Sequence, residues 1–306
     1  MAAATWIDLL DPTADELRAK SPRPLEESAM ELLLAKPEHD DEPRPTMQSH
    51  VDYVFGVIIV AVAVPEEDDV YYQEIDLVIT ADTLLTVRKT PPGGKNRPAC
   101  DVAIVKHAVK PDDSAGMMTY RLIDEVAERY LDLVDALDGE IDELEDKVEQ
   151  QAAELTRIRI SDLRHDLLHI RRMLGPLRDA VRRVIDGSVD VDEGPEVFPK
   201  DVEVAFNAAY DKLMRALDGL ELSRDLIASV RDYQQSKIAN DQNEVMKVLT
   251  VIAAIVLWPT FVVGLYGQNF KDIPELRWHY GYAYVWAVII VITLIQLWIF
   301  RRKKWI

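Results

Sequence analysis

Two long uncharged stretches near the C-terminus constrain this chain more than any other feature. No Asp, Glu, Lys or Arg occurs from Val248 to Phe270, nor from Tyr280 to Phe300. Each run exceeds the roughly 20 apolar residues that carry a helix across a bilayer. Arg301, Arg302, Lys303 and Lys304 follow directly on the second run, and basic residues at a membrane edge stay on the cytoplasmic side. Two crossings return the N-terminus to that side. The expectation is therefore a multi-pass protein of the cell inner or plasma membrane, with both termini cytoplasmic and a short loop outside. Met1–Ala4 is followed at once by Asp8, Asp11 and Asp15, so no signal peptide is expected.

The rest of the chain is acidic. The 306 residues carry a formal net charge of −19, and almost none of it lies in the apolar runs. Such a surface repels phosphates, which excludes nucleic acid as a partner and favours cations. Cys100 is the only cysteine, so neither a disulfide within the chain nor a Cys-based zinc site can form.

Three regions follow from the patterning. Residues 1–117 read as an α/β domain: Asp11-Pro12-Thr13 is a cap for a short helix through Glu16 and Leu17. Tyr53–Val64, Val70–Ile79 and Leu84–Val87 are β-branched runs joined by turns brief enough for antiparallel pairing. Lys36–Arg44 and Pro91–Gly94 read as surface segments. Residues 118–245 read as a helical hairpin and a stalk helix. Leu122, Val126, Tyr130, Leu133, Leu137, Ile141, Leu144 and Val148 step by three and four, as do Ile160, Leu163, Leu167, Ile170 and Leu174 in a second helix with a kink expected at Gly175-Pro176. After a linker at 187–199, one helix is expected from Asp201 to about Tyr266. It would be roughly 100 Å long at 1.5 Å per residue. Residues 246–306 read as the membrane domain, with spans at 246–266 and 280–300, an outer loop at 267–279 and a basic tail at 301–306. The fold class is thus α+β with a very long stalk helix and two C-terminal spans.

Three sets of side chains on that long helix can carry chemistry. Asp211, Asp218, Asp225 and Asp232 recur every seven residues, forming one slowly drifting stripe. It is either a solvated face or an inner column that concentrates divalent cations. Asn243, Met246, Leu249, Thr250, Ala253, Leu257, Thr260 and Gly264 form a seam of small, apolar and weakly polar residues. It serves either helix packing or a pore lining with hydrophobic constrictions and oxygen-bearing rings. Two spans cannot enclose a channel, so the second reading requires a symmetric oligomer. At the end of the seam stands Tyr266-Gly267-Gln268-Asn269-Phe270. A ring of Asn269 amide oxygens could hold a hydrated Mg2+ by its water shell, since magnesium dehydrates reluctantly.

These residues resemble the CorA magnesium/cobalt transporter family. Asn243–Thr250 resembles the start of that family's first span, Pro259-Thr260 and Tyr266–Phe270 its signature ending in Gly-Met-Asn. Pro274–Trp278 (with Glu275) and Gly281-Tyr282 resemble its outer loop, and Arg301–Trp305 its basic tail. Upstream, Leu122-Ile123-Asp124 and Asp138–Asp146 are similar to its acidic helices, and Trp6–Leu9 with Asp11-Pro12-Thr13 to its opening. The resemblance implies a funnel-shaped homopentamer whose only partners are itself, divalent cations and the bilayer. It implies passive Mg2+ uptake driven by the membrane potential, with Co2+ or Ni2+ also carried, and closure by intracellular Mg2+ between subunits. No cofactor is implied beyond Mg2+ as transported ion and regulator.

The chain departs from the family pattern in several places. Gln268 stands where the family has Met, which admits a Zn2+ transporter of the ZntB type, possibly coupled to protons. Lys271 stands where the loop is usually acidic. Met30-Glu31-Leu32 and Ala208 replace both partners of the regulatory carboxylate pair, leaving Glu31 and Asp211 as candidate regulatory ligands. A non-transporting scaffold or sensor is the third reading. An enzyme is disfavoured: the six histidines form no Glu-flanked metal motif, and His165 and His169 are expected on a solvated face.

Overall fold

Apolar, β-branched runs form the middle of a five-stranded sheet in the N-terminal half. The computed structural model describes residues 4–36, 44–64, 69–91, 100, 102–268 and 273–305. Strands β1 (Thr5–Leu10), β2 (Thr46–Ser49), β3 (Val54–Val64), β4 (Asp69–Ile79) and β5 (Thr83–Arg88) lie in the order β1-β5-β4-β3-β2. β3, β4 and β5 pair antiparallel, as their short connections require, and β2 adds antiparallel to β3. β1 pairs parallel with β5, Thr5 opposite Thr83 through Leu10 opposite Arg88.

Neither β1 nor β2 was expected from patterning, and tertiary bonds explain both the miss and the strand. Asp8 on β1 accepts two bonds from Arg88 at 2.7 and 3.0 Å and one from the Thr86 hydroxyl at 2.7 Å, while Trp6 donates its indole N–H to Thr86 at 3.1 Å. These contacts span about the whole sheet-forming sequence and leave no local signal.

The short helices α1 (Ala14–Lys20) and α2 (Glu27–Leu34) follow β1. Thr13 and Glu16 close the expected capping box on α1. Asp11 takes a left-handed φ of 46°, tolerable for a short polar side chain, and its carboxylate holds the Thr90 backbone N–H at 2.9 Å. One core packs Leu17, Ala29 and Leu33 of these helices on Phe55, Val57, Val78, Leu85 and Val87.

The second core is larger. Helices α3 (Ala103–Ala108), α4 (Ala115–Lys147), α5 (Ala153–Ile185) and α6 (Lys200–Tyr266) supply it, with Val54, Ile58, Ile75, Leu77 and Leu84 from the sheet. Every apolar position of the two expected heptad-like runs is buried, from Leu122 to Val148 and from Ile160 to Leu174. α5 runs on as one helix through Pro176. His165 is exposed, but His169 is half-buried with its ring 4.2 Å from Tyr72. The expectation of a solvated His169 is corrected: the strand below supplies an aromatic partner.

Contacts divide the chain into a unit of residues 1–230 and one of 231–306. The second unit holds the last part of α6, a short 3-10 turn at Pro274–Arg277, and α7 (Gly281–Arg302). α6 and α7 are both long and apolar enough to cross a membrane. Among the described residues of this unit, only Gln234, Val251, Val262, Gly281 and Gln296 are buried. Trp258, Phe261, Trp286, Ile290 and Trp298 lie exposed. A single chain therefore leaves an apolar surface far beyond what water tolerates.

Candidate functional site along the long helix

Within the first unit, α6 is oriented by what its inner face packs against. Leu213, Ala216, Leu220, Ile227 and Val230 are buried, whereas Asp211, Asp218 and Asp225 are exposed. Lys212 bonds Asp124 at 2.9 Å and Glu128 at 2.8 Å on α4. Burial pulls its ammonium pKa down, but the Glu128 and Asp124 carboxylates outweigh that and hold it raised. About two turns further on, Gly219 lets the helices close: a Cβ there would sit 2.8 Å from Val134 Cγ1. Ser223 then bonds Asp138 and donates to the Gly219 carbonyl, the latter at 2.9 Å. These three contacts leave the aspartates on the open side.

In the second unit, Asp232 is exposed and its carboxylate pairs with its neighbour Arg231, at 3.2 Å. Five turns on, at about 3.6 residues per turn, Thr250 falls on the same side of the helix. Asn243, Met246, Leu249, Thr250, Ala253, Leu257, Thr260 and Gly264 are all exposed, Leu257 at 66%. Val251 and Val262, which are buried, lie about half a turn away from the centre of that seam. The seam is thus the face turned away from the packed side. Thr250 and Thr260 donate their hydroxyl protons to the carbonyls of Met246 and Val256, each at 2.7 Å. With the proton held in the helix, each hydroxyl offers its lone pairs outward as an acceptor.

At the C-terminal end of α6, Tyr266 is the last helical residue. Gly267 still bonds the Val263 carbonyl at 2.8 Å, where an added Cβ would come to 3.1 Å. Gly267 and Gln268 are exposed. Asn269, with residues 270–272, lies outside the described residues, and so does the side chain of Glu275 in the 3-10 turn. The candidate regulatory residues Glu31, on α2, and Asp211, on α6, are both exposed. Among the described residues no three or more His, Cys, Asp or Glu side chains gather closely enough to hold a metal ion.

Two features had no reading in the sequence. Lys89 Nζ, buried, bonds Glu74 at 2.5 Å, Asp76 at 2.9 Å and the Leu32 carbonyl of α2 at 2.8 Å. Burial, with the neighbouring Glu74 charge, pushes the Asp76 carboxyl well above the ordinary range despite Lys89. The signal was present as acidic residues alternating through an otherwise apolar strand. The other is a cavity of about 590 Å3 lined by Asn240, Asn243, Glu244, Lys247 and Thr250 together with Lys304 and Trp305 of the tail.

The chain matches the description "CorA-like Mg2+ transporter protein" over residues 2–302. It belongs to the CorA-like Mg2+ transporter family. Among CorA relatives, the cobalt/magnesium transport protein of Thermotoga maritima is 31% identical over 263 residues, 86% of this chain and 73% of that one. The complete CorA magnesium transporter of Methanocaldococcus jannaschii superposes with a TM-score of 0.78 at 22% identity, covering 98% of this chain and 91% of that structure. The ZntB cytoplasmic domain of Vibrio parahaemolyticus matches with a TM-score of 0.58 at 15% identity, covering 77% and 88%; at that identity the likeness is one of fold. The CorA-like architecture accounts for the soluble α+β domain, the long helix and the two C-terminal apolar helices seen here.

Proposed function

We propose that this chain is the subunit of a homo-oligomeric, pentameric divalent-cation channel that carries Mg2+, and also Co2+ or Ni2+, down the membrane potential. The observation that carries the reading is one helix, α6, with an apolar span that exposes a continuous seam from Asn243 to Gly264 on the side away from its packed residues. Copies of that face, turned inward around an axis, form a lining of threonine oxygens separated by Met246, Leu249 and Leu257 constrictions. Asn269 amides at the outer mouth hold the ion through its water shell, with Tyr266, Gly267 and Gln268 setting the turn that presents them. The Asp211, Asp218, Asp225 and Asp232 column raises the cation concentration on the inner side. A doubly charged ion gains about 4.6 kcal/mol across 100 mV, so neither a cofactor nor a coupled ion is needed. Intracellular Mg2+ acts as regulator through carboxylates of neighbouring copies, Glu31 and Asp211 being the candidates.

The Zn2+ reading draws on Gln268, whose amide replaces a soft thioether at the mouth and alters the ligand field there. Purified full-length protein in liposomes separates the two. A K+ diffusion potential is expected to drive Mg2+ uptake, blocked when the potential is collapsed. Zn2+ uptake that follows a pH gradient and ignores voltage would replace the first reading with the second, and vesicles tight to every divalent ion would overturn both.

A further inference from the structure

Pro259 sits inside α6, in the middle of the apolar span. It has no N–H, so the Ile255 carbonyl loses the donor that an unbroken helix would give it. In hydrocarbon no water replaces that donor. A polar side chain of the other span reaches the carbonyl one residue before that of Ile255. Gln296 of α7 is buried, and its Nε2 donates to the carbonyl of Ala254, the residue directly before Ile255, at 3.2 Å. Its Oε1 is buried and, among the described residues, has no partner. Gln296 is the sole polar side chain buried on α7 among the described residues; Thr293 merely returns its proton to the Ile289 carbonyl of its own helix, at 2.8 Å. An amide bonded beside a proline break is a different kind of contact from small-residue packing.

We infer that Gln296 is a positioning residue: it pins α6 to α7 at the Pro259 break and so fixes which face of α6 turns toward the conduction path. The clamp falls between Ala253 and Leu257, two seam residues that lie one turn apart on the face opposite Val251. If it is released, a helix already weakened at Pro259 can rotate about the break, and Leu257 and Thr260 leave their places in the lining. The inference rests on the channel reading, because only there does the rotation of α6 have a functional consequence.

The test has two arms that fail separately. In proteoliposomes holding the full-length protein, Gln296→Met keeps the volume and removes the donor; at least a fivefold loss of voltage-driven Mg2+ uptake is expected. Gln296→Glu restores a donor only while its carboxyl is protonated, so uptake is expected near the wild-type level at about pH 6 and falling toward the Met variant at about pH 9. A purely packing role would not follow pH in this way. The second arm needs no transport: a double-mutant cycle in detergent, read by thermal unfolding. Pro259→Ala mends the break and stiffens α6 without help from α7, so the drop in Tm caused by Gln296→Met is expected to shrink by at least half in that background. Additive effects in the cycle, or wild-type uptake by Gln296→Met, overturn the clamp. Wild-type vesicles that carry no divalent ion, with coupling intact in the cycle, overturn the channel and leave the clamp standing.

Discussion

At the scale of single residues, the most consequential groups are those whose protonation or geometry the fold has altered. Asp76 is fully buried beside Glu74, with the Lys89 ammonium 2.9 Å away. Its pKa stands well above the ordinary carboxylate value of about 3.9. In the window from there up to its raised value the folded protein holds a proton that the unfolded chain releases, so stability falls as pH rises. Lys89 is also raised: burial opposes it, but the Asp76 and Glu74 carboxylates prevail, so its loss comes only at alkaline pH, above about 10.4. Asp113 works in the opposite sense. Burial resists its ionisation, but bonds from Arg121 and Lys110 hold it below its ordinary value, and stability is lost as pH falls through it. Asp76→Asn removes the first dependence and, by taking away one of the carboxylates that raise Lys89, weakens the second. Between about pH 5 and pH 8 the wild-type Tm is expected to fall by a few degrees and that of the variant to stay flat, by differential scanning fluorimetry; parallel curves would mean that Asp76 is ionised throughout. At the mouth, Asn269→Ala is expected to abolish Mg2+ uptake while the oligomer elutes unchanged from a sizing column. Wild-type uptake would remove the amide ring from the mechanism.

At the scale of elements, periodicity made the long helices legible and long-range bonds hid the short ones. The three-four spacing from Leu122 to Val148 states which face is buried, because a helix repeats its face every turn, and the structure buries each of those positions. β1 has no such statement to make: it is a strand because Asp8, Trp6, Thr86 and Arg88 meet across the sheet. The Glu74, Asp76 and Lys89 cluster was hidden for the same reason, since alternating acids read equally well as a solvated strand face. The seam on α6 was legible as a stripe; its exposure was not, because only the position of α7 decides which residues of an all-apolar segment are covered. Gly219 shows both sides of this. From sequence it is a residue that weakens a helix by about 1 kcal/mol; in the fold it is the point where α6 meets Val134 of α4. Gly219→Val should therefore cost stability instead of adding helix propensity, about 1–3 kcal/mol from overpacking, seen as a lower denaturation midpoint of the detergent-solubilised protein. A gain in stability would mean that the two helices can separate at that point without loss.

At the scale of the whole molecule, the exposed membrane helices and the acidic stripe pose one question: what do they face? Lipid can cover Trp286, Ile290 and Trp298, but it is a poor neighbour for Asn243, Thr250 and Thr260, and no neighbour for a column of aspartates. In the proposed channel, copies of the chain stand around a water-filled axis with the apolar remainder outward and the seam inward. In that proposal the stripe acts by raising the local concentration of cations, an effect that falls off over a Debye length of about 8 Å at physiological ionic strength. Screening of that reach makes distance from the pore decisive. Asp232 lies about three turns before Asn243 along the helix, while Asp211 lies several turns further back. Asp232→Ala is therefore expected to lower Mg2+ conductance about two- to fivefold at low salt, with the deficit closing as ionic strength rises, and Asp211→Ala to change conductance far less. Planar-bilayer recordings of the two variants at about 0.05 and 0.5 M salt measure both effects. Equal, negligible effects return the stripe to an ordinary solvated face. A deficit that persists unchanged at high salt would instead make Asp232 a direct ligand on the ion's path, because a contact within the hydration shell is not screened by bulk electrolyte.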